Sequence, residues 1–161
     1  MDFYLVIFFC FAITLHNIEE AIWLPKWSQQ QSSRFQKPVT SSEFHFAVIF
    51  ITILAYLSAF SFLYMPKSDF AKWIFIGFLG SMIFNAIFPH LIATVLMKKY
   101  APGLLTGILL NLPINSLVIY QMFSKNLITC KELVISTFVV GIILLILIPF
   151  LFKVGRKVTP S

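Results

Sequence analysis

Long apolar stretches alternate with short polar breaks along this chain, and the stretches are too uniformly apolar for helices with one wet face. A helix that crosses a bilayer needs about 20 residues, with a range near 17–25. Five stretches have the length: about 3–24, 44–65, 70–97, 102–123 and 131–152. The first starts FYLVIFFCFAITL. Asp2 stands where a cleaved export signal would be basic, and Glu19-Glu20 where its small-residue cleavage site would be, so it reads as a retained helix. The fifth is the most apolar, with Pro149 near its end, where a kink is cheap. The break at 25–43 (PKWSQQQSSRFQKPVTSSE) is polar and reads as a surface loop, partly along the headgroups through Trp27 and Phe35. The pattern predicts an all-α polytopic membrane protein. It is one domain, 1–161, a bundle of about five transmembrane helices without internal repeat.

Composition narrows this further. Residues are 59% hydrophobic and 11% charged, with a mean hydropathy of +0.91. A soluble domain carries about 25% charged residues and needs polar side chains to cover its outside. A soluble enzyme, a disordered chain and a nucleic-acid module are excluded. The net charge of +6 does not reverse this, because the 12 Lys and Arg sit in short segments between apolar stretches. That arrangement suits anionic lipid headgroups, not nucleic acid. Cys10 and Cys130 are distant and form neither a CxxC motif nor a disulfide framework.

Basic residues also set an orientation. With five spans, Lys67, Lys72, Lys125 and Lys131 share one side with the N-terminus. Lys26, Arg34, Lys37, Lys98, Lys99, Lys153, Arg156 and Lys157 share the other. The positive-inside rule places the richer side in the cytoplasm. The expectation is a multi-pass protein of the cell membrane, N-terminus outside and C-terminus cytoplasmic.

Ionisable groups inside spans cost roughly 2.5–3.5 kcal/mol each at a helix centre. The first span nevertheless holds His16, Glu19 and Glu20. Positions i, i+3 and i+4 share a helix face, so the imidazole lies one turn before both carboxylates, with Trp23 a turn further along. Imidazole with carboxylate suits Zn, Mn or Fe. An interfacial acid pair pointing into water fits the position as well, since the expected helix end is only roughly 6–8 Å further on. The third span holds Asn85 and His90 in FNAIFPHL, where Pro89 deprives the Asn85 carbonyl of its helical partner. A packed proline kink is the plainer reading of those residues. Tyr100 and Thr106 flank the start of the fourth span at Pro102, with Asn111, Pro113 and Asn115 beyond.

Depth connects these positions. Alternating helix directions bring His16, Glu19, Glu20, Glu43, His45, His90, Tyr100 and Thr106 to the same half of the bilayer, with His90 roughly 10 Å from the surface. Five helices scattering their histidines at random would seldom do this, and a shared polar site follows.

The stretch Leu15-His16-Asn17-Ile18-Glu19-Glu20-Ala21-Ile22-Trp23 resembles the motif of the HXXEE family of small bacterial integral membrane proteins. Asn85-Ala86 followed by His90, and Tyr100-Ala101-Pro102-Gly103-Leu104-Leu105-Thr106, resemble that family's second and third motifs. The family's function is unknown. The resemblance implies an enzyme built on His16, Glu19, Glu20, Asn85, His90, Tyr100 and Thr106.

The leading expectation is a membrane-embedded enzyme. His16, His90 and one of the two glutamates, Glu20 in the first place, would ligate a divalent metal (Zn, Mn or Fe). The other glutamate would act as general base, and Asn85 or Tyr100 would orient substrate or stabilise an oxyanion. The substrate would be lipid-like or membrane-anchored, with membrane lipid as the surroundings and no nucleic acid as partner. A metal-free His/Glu acid–base pair stays open. So do a proton- or ion-coupled transporter, whose route the apolar outer half opposes, and a non-catalytic membrane subunit whose polar residues only join helices.

Overall fold

The computed structural model describes residues 3–30 and 38–158. Its helices are α1 (Phe3–Gln30), α2 (Ser41–Tyr64), α3 (Asp69–Met97), α4 (Leu104–Ser124) and α5 (Cys130–Val158). All five are long and apolar enough to cross a membrane. The chain is an all-helical, multi-pass membrane protein.

Short connections make successive helices antiparallel, so α3 and α5 run in the same direction. At their starts Lys72 bonds Asp69 at 3.1 Å and Glu132 at 3.4 Å. Further along, Ser81 Oγ donates to the Thr137 carbonyl at 3.2 Å, and Gly80 has Thr137 where a side chain would go. Without a hydrophobic drive between helices in lipid, such close small-residue packing is what joins them. Near the other end of the bundle Arg156 of α5 pairs with Glu43 of α2. The core of the first half is aromatic: Phe62 stacks on Phe75 at 4.9 Å, and Phe9 meets Phe75 edge-on at 5.4 Å.

Helix boundaries depart from the expectation in two places. Helix α1 continues past residue 24 to Gln30, through Pro25. Pro25 has no amide hydrogen for the carbonyl of Ala21; His45 Nε2 supplies one instead at 2.9 Å. His45 is thereby exposed and committed to the α1–α2 joint, and it is no part of a shared polar site. The expected 25–43 loop is shorter than its composition suggests. Helix α2 begins at Ser41 under a capping box in which Thr40 N donates to Glu43 Oε2 at 3.0 Å. Arg34, Phe35 and Lys37 lie outside the described residues. Helix α5 likewise runs past Pro149 to Val158, tied down by the Arg156–Glu43 pair.

Two irregular stretches position the site. In α3, Phe88 leaves the helix (φ −124°, ψ 118°) within a widened π-type stretch, Ala86–Leu91. The residue before a proline is pushed to this extended region by the ring. In α4 a second π-type stretch covers Gly107–Asn111. The two face each other: a side chain on Gly107 would start 3.1 Å from the Ala86 Cβ. Such stretches recur at functional sites because they re-aim side chains out of the helical register.

Candidate functional site

The turn between α3 and α4 sets the geometry. Lys98 ends α3 in the left-handed region (φ 50°), and Gly103 (φ 93°) starts α4. The first amides of a helix have no intrahelical acceptor, and Glu19 of α1 supplies one. Its Oε1 accepts from Gly103 N at 2.8 Å and from the Tyr100 hydroxyl. Its Oε2 accepts from Thr106 N at 2.9 Å and Thr106 Oγ1 at 2.5 Å. A carboxylate at a helix N-terminus is also favoured by the helix dipole.

This arrangement fixes a proton one residue further on. Thr106 gives its only hydroxyl hydrogen to Glu19, so towards His16 Nδ1, at 3.1 Å, it accepts. His16 then carries its proton on Nδ1 and keeps Nε2 as an acceptor, the tautomer that hydrogen-bonding neighbours impose on metal-binding histidines. Asn85 Nδ2 lies 3.0 Å from His16 Nε2 and 3.2 Å from His90 Nε2. Glu20 Oε1 lies 2.9 Å from His90 Nε2 and 3.7 Å from His16 Nε2. The two rings stand edge to face, 5.2 Å apart. One ligand atom from each of His16, Glu20 and His90 falls within 4.8 Å of the others.

A cavity of about 430 Å³ opens beside this cluster. Glu20, Asn85, His90 and Asn17 line its polar end, and the rest of the wall is apolar apart from Ser81 and Thr137. The volume falls in the ordinary range for small-ligand sites, about 300–1,000 Å³. Glu20 faces this space, keeping 13% exposure, whereas Glu19 is turned into the α4 start at 5%.

All seven residues expected from the sequence (His16, Glu19, Glu20, Asn85, His90, Tyr100 and Thr106) therefore form one connected network. Their places differ. Glu20, Asn85 and His90 face the chamber; Glu19, Tyr100 and Thr106 stand behind His16 and hold it. Trp23 is 55% exposed and takes no part. Gly103 is the important omission. A Cβ there would lie 2.6 Å from His90 Cε1 and 3.0 Å from His16 Cε1. Its signal was legible as a glycine directly after Pro102 at a helix start. Asn111 and Asn115, on the same buried face of α4 as Gly107, have amide groups without a partner among the described residues.

Tyr100 has a measurable signature. Desolvation first, and the hydrogen bond to Glu19 second, push its phenol up to about 12 from an ordinary 10.0. The folded state holds this proton more tightly than the unfolded one. Its contribution to stability is whole below pH 10 and fades as pH rises towards 12. A tyrosinate absorbance titration of wild type minus Tyr100→Phe is expected to show one late-ionising phenol; a difference curve centred at the ordinary value would contradict the Glu19 contact.

A family model described as "Protein of unknown function with HXXEE motif" matches residues 7–118, which takes in the whole network and leaves α5 outside. The uncharacterized protein YrkK of Bacillus subtilis (strain 168) is 83% identical over 157 residues, 98% of this chain and 99% of that protein. No solved structure matches this chain.

Proposed function

We propose that this chain, which belongs to the HXXEE family, is a membrane-embedded hydrolase that uses a divalent ion (Zn, Mn or Fe) held by His16, His90 and Glu20 on a lipid-like or membrane-anchored substrate. The observation that carries the reading is the convergence of those three side chains at the polar end of an apolar chamber.

The donor set fits an ion. Ligands bonded at about 2.1 Å in a tetrahedral site stand about 3.4 Å apart; the Glu20 contacts of 2.9 and 3.7 Å bracket that. Asn85 Nδ2 asks His90 Nε2 for a lone pair while the Glu20 carboxylate faces the same atom, and a cation reconciles the two. Three protein ligands with one side open is the pattern of catalytic sites. When bound, the ion supplies Lewis acidity and a water that ionises near neutral pH.

The remaining roles belong to the chain. Glu19 and Thr106 keep the His16 proton on Nδ1. Glu20, the acid that faces the chamber, closes the ligand set with one carboxylate oxygen, and in the metal-free alternative it would take the proton from the attacking water. Asn85 is placed to donate its amide hydrogens to an oxygen that gains charge. Tyr100, behind Glu19, positions rather than reacts. Basic residues at this end of the bundle favour a site near the cytoplasmic leaflet, with the N-terminus outside. A carrier is the weaker reading, because Val118 and Met122, fully buried, continue the inward face of α4 beyond Asn115 as an apolar plug.

Metal content of the purified protein tests the proposal. About one ion per chain is expected in wild type, lost in His16→Ala and Glu20→Ala with helicity unchanged. Wild type without metal in any preparation overturns the metal site. The 2.9 Å His90–Glu20 contact would then favour metal-free acid–base chemistry, recognisable as activity indifferent to chelators.

A further inference from the structure

We infer that the chamber takes a single hydrocarbon chain of a membrane lipid, admitted sideways from the bilayer between α3 and α5, and that Gly141 limits the length of that chain. This rests on the reading of the His/Glu cluster as a site for a membrane substrate, and it specifies the substrate class.

The mouth is marked by exposure. Among the lining residues, Phe84 and Phe88 of α3 and Phe138, Ile142 and Leu145 of α5 are 54–68% exposed. The wall contributed by α2 is buried or half-buried: Phe44, Ala47 and Ile51 are at 2–7%. Among the described residues, the chamber therefore opens between the lipid-facing surfaces of two spans. Whatever passes there comes from the hydrocarbon layer. Phe84 and Phe138, rings 6.3 Å apart, bracket this opening.

Shape identifies the occupant. The lining runs along α5 from Thr137 to Phe152, about 22 Å at 1.5 Å per residue. Its ionisable groups gather at the His90 end, and Ser81, bonded to the Thr137 carbonyl, lies at the opposite end. An elongated apolar space with a reactive head end fits an alkyl or isoprenoid chain better than a compact polar molecule. At about 30 Å³ for each water-sized group, 430 Å³ holds about 14 such groups. A methylene is of that size, so one chain fits.

Gly141 stands at the Ser81 end. A Cβ added there meets only the Ser81 hydroxyl, at an ordinary 3.4 Å. A longer side chain would grow into the chamber rather than into packed neighbours. Helix α5, which lies outside the matched family region, would thus tune chain length while α1, α3 and α4 keep the reactive groups.

A fatty acid with a photoreactive diazirine at its chain end tests this on the full-length protein in lipid nanodiscs, with cross-links mapped by mass spectrometry. The expected sites are around Ser81 and Thr137. Gly141→Leu is expected to cut them severalfold for a long chain and to spare a short one. Ile142→Trp, at the exposed rim, is expected to cut both without touching the packed core, which covers the case of a misfolded Gly141→Leu. Labelling confined to the exposed faces of α3 and α5, equal in wild type and both variants, overturns the proposal. Cross-linking needs neither metal nor turnover, so a wild type free of metal that labels at Ser81 would sink the metal site and leave the lipid chamber standing.

Discussion

Gly103→Ala is expected to lower stability by about 2–5 kcal/mol and to strip the site of its metal beyond what that loss explains. An alanine in the left-handed region costs about 1–2 kcal/mol, and Gly103 sits there with φ 93°. The new Cβ would start 2.6 Å from the ring of His90 and 3.0 Å from that of His16. Forcing one extra methyl into a packed place adds about 1–3 kcal/mol. Neither imidazole can yield without moving its Nε2, so ligand geometry fails together with the fold. Gly107→Ala is the comparison. Its nearest neighbour is the Ala86 Cβ at 3.1 Å and its backbone is helical, so a smaller loss is expected. Thermal unfolding in detergent, read beside metal content, checks both. A Gly103→Ala protein with wild-type metal would show that the turn does not hold the rings.

Glu19→Gln is expected to cost about 3 kcal/mol or more, since hydrogen bonds to a charged group contribute about 1.5–3 kcal/mol each. For a chain of this length that is about 6–12 °C in melting temperature. Four donors converge on this carboxylate: Tyr100 OH, Gly103 N, Thr106 N and Thr106 Oγ1. A glutamine amide places an NH₂ against one pair of them whichever way it turns. The Thr106 hydroxyl then loses the acceptor that orients it, and His16 loses its fixed tautomer. Glu20→Gln should behave oppositely: a melting temperature near wild type, because its side chain borders open space, but no bound metal. A Glu19→Gln protein that melts like wild type would refute the Glu19 network; equal melting losses for both variants would refute the division of labour between the two acids.

That division could not be read along the chain. Glu19 and Glu20 are adjacent and chemically alike, and helical spacing puts both one turn beyond His16. The difference arises because the α4 start lies over one and the chamber beside the other. His45 shows the converse. Depth placed it with the other histidines, yet Pro25 left the Ala21 carbonyl in need of a donor, and His45 meets it. The helical extension through Pro25 escaped a reading based on composition, because a proline among Ser, Gln and Lys signals a loop unless a distant side chain repairs the backbone.

What the amino-acid order determined by itself was the number of spans, their alternating directions, the broken α3 at Pro89 and the gathering of His16, Asn85, His90 and Thr106 at one depth. These follow from local rules: hydropathy over about 20 residues, the missing proline amide and a rise of 1.5 Å per residue. Tertiary structure alone decided which acid faces the chamber, which histidine is spent on backbone, and that Gly103 touches both rings. It also decided that exposed side chains of α3 and α5 flank the chamber. Those outcomes depend on the rotation of each helix about its axis and on how closely neighbours approach, and a pattern along one chain carries no measure of either.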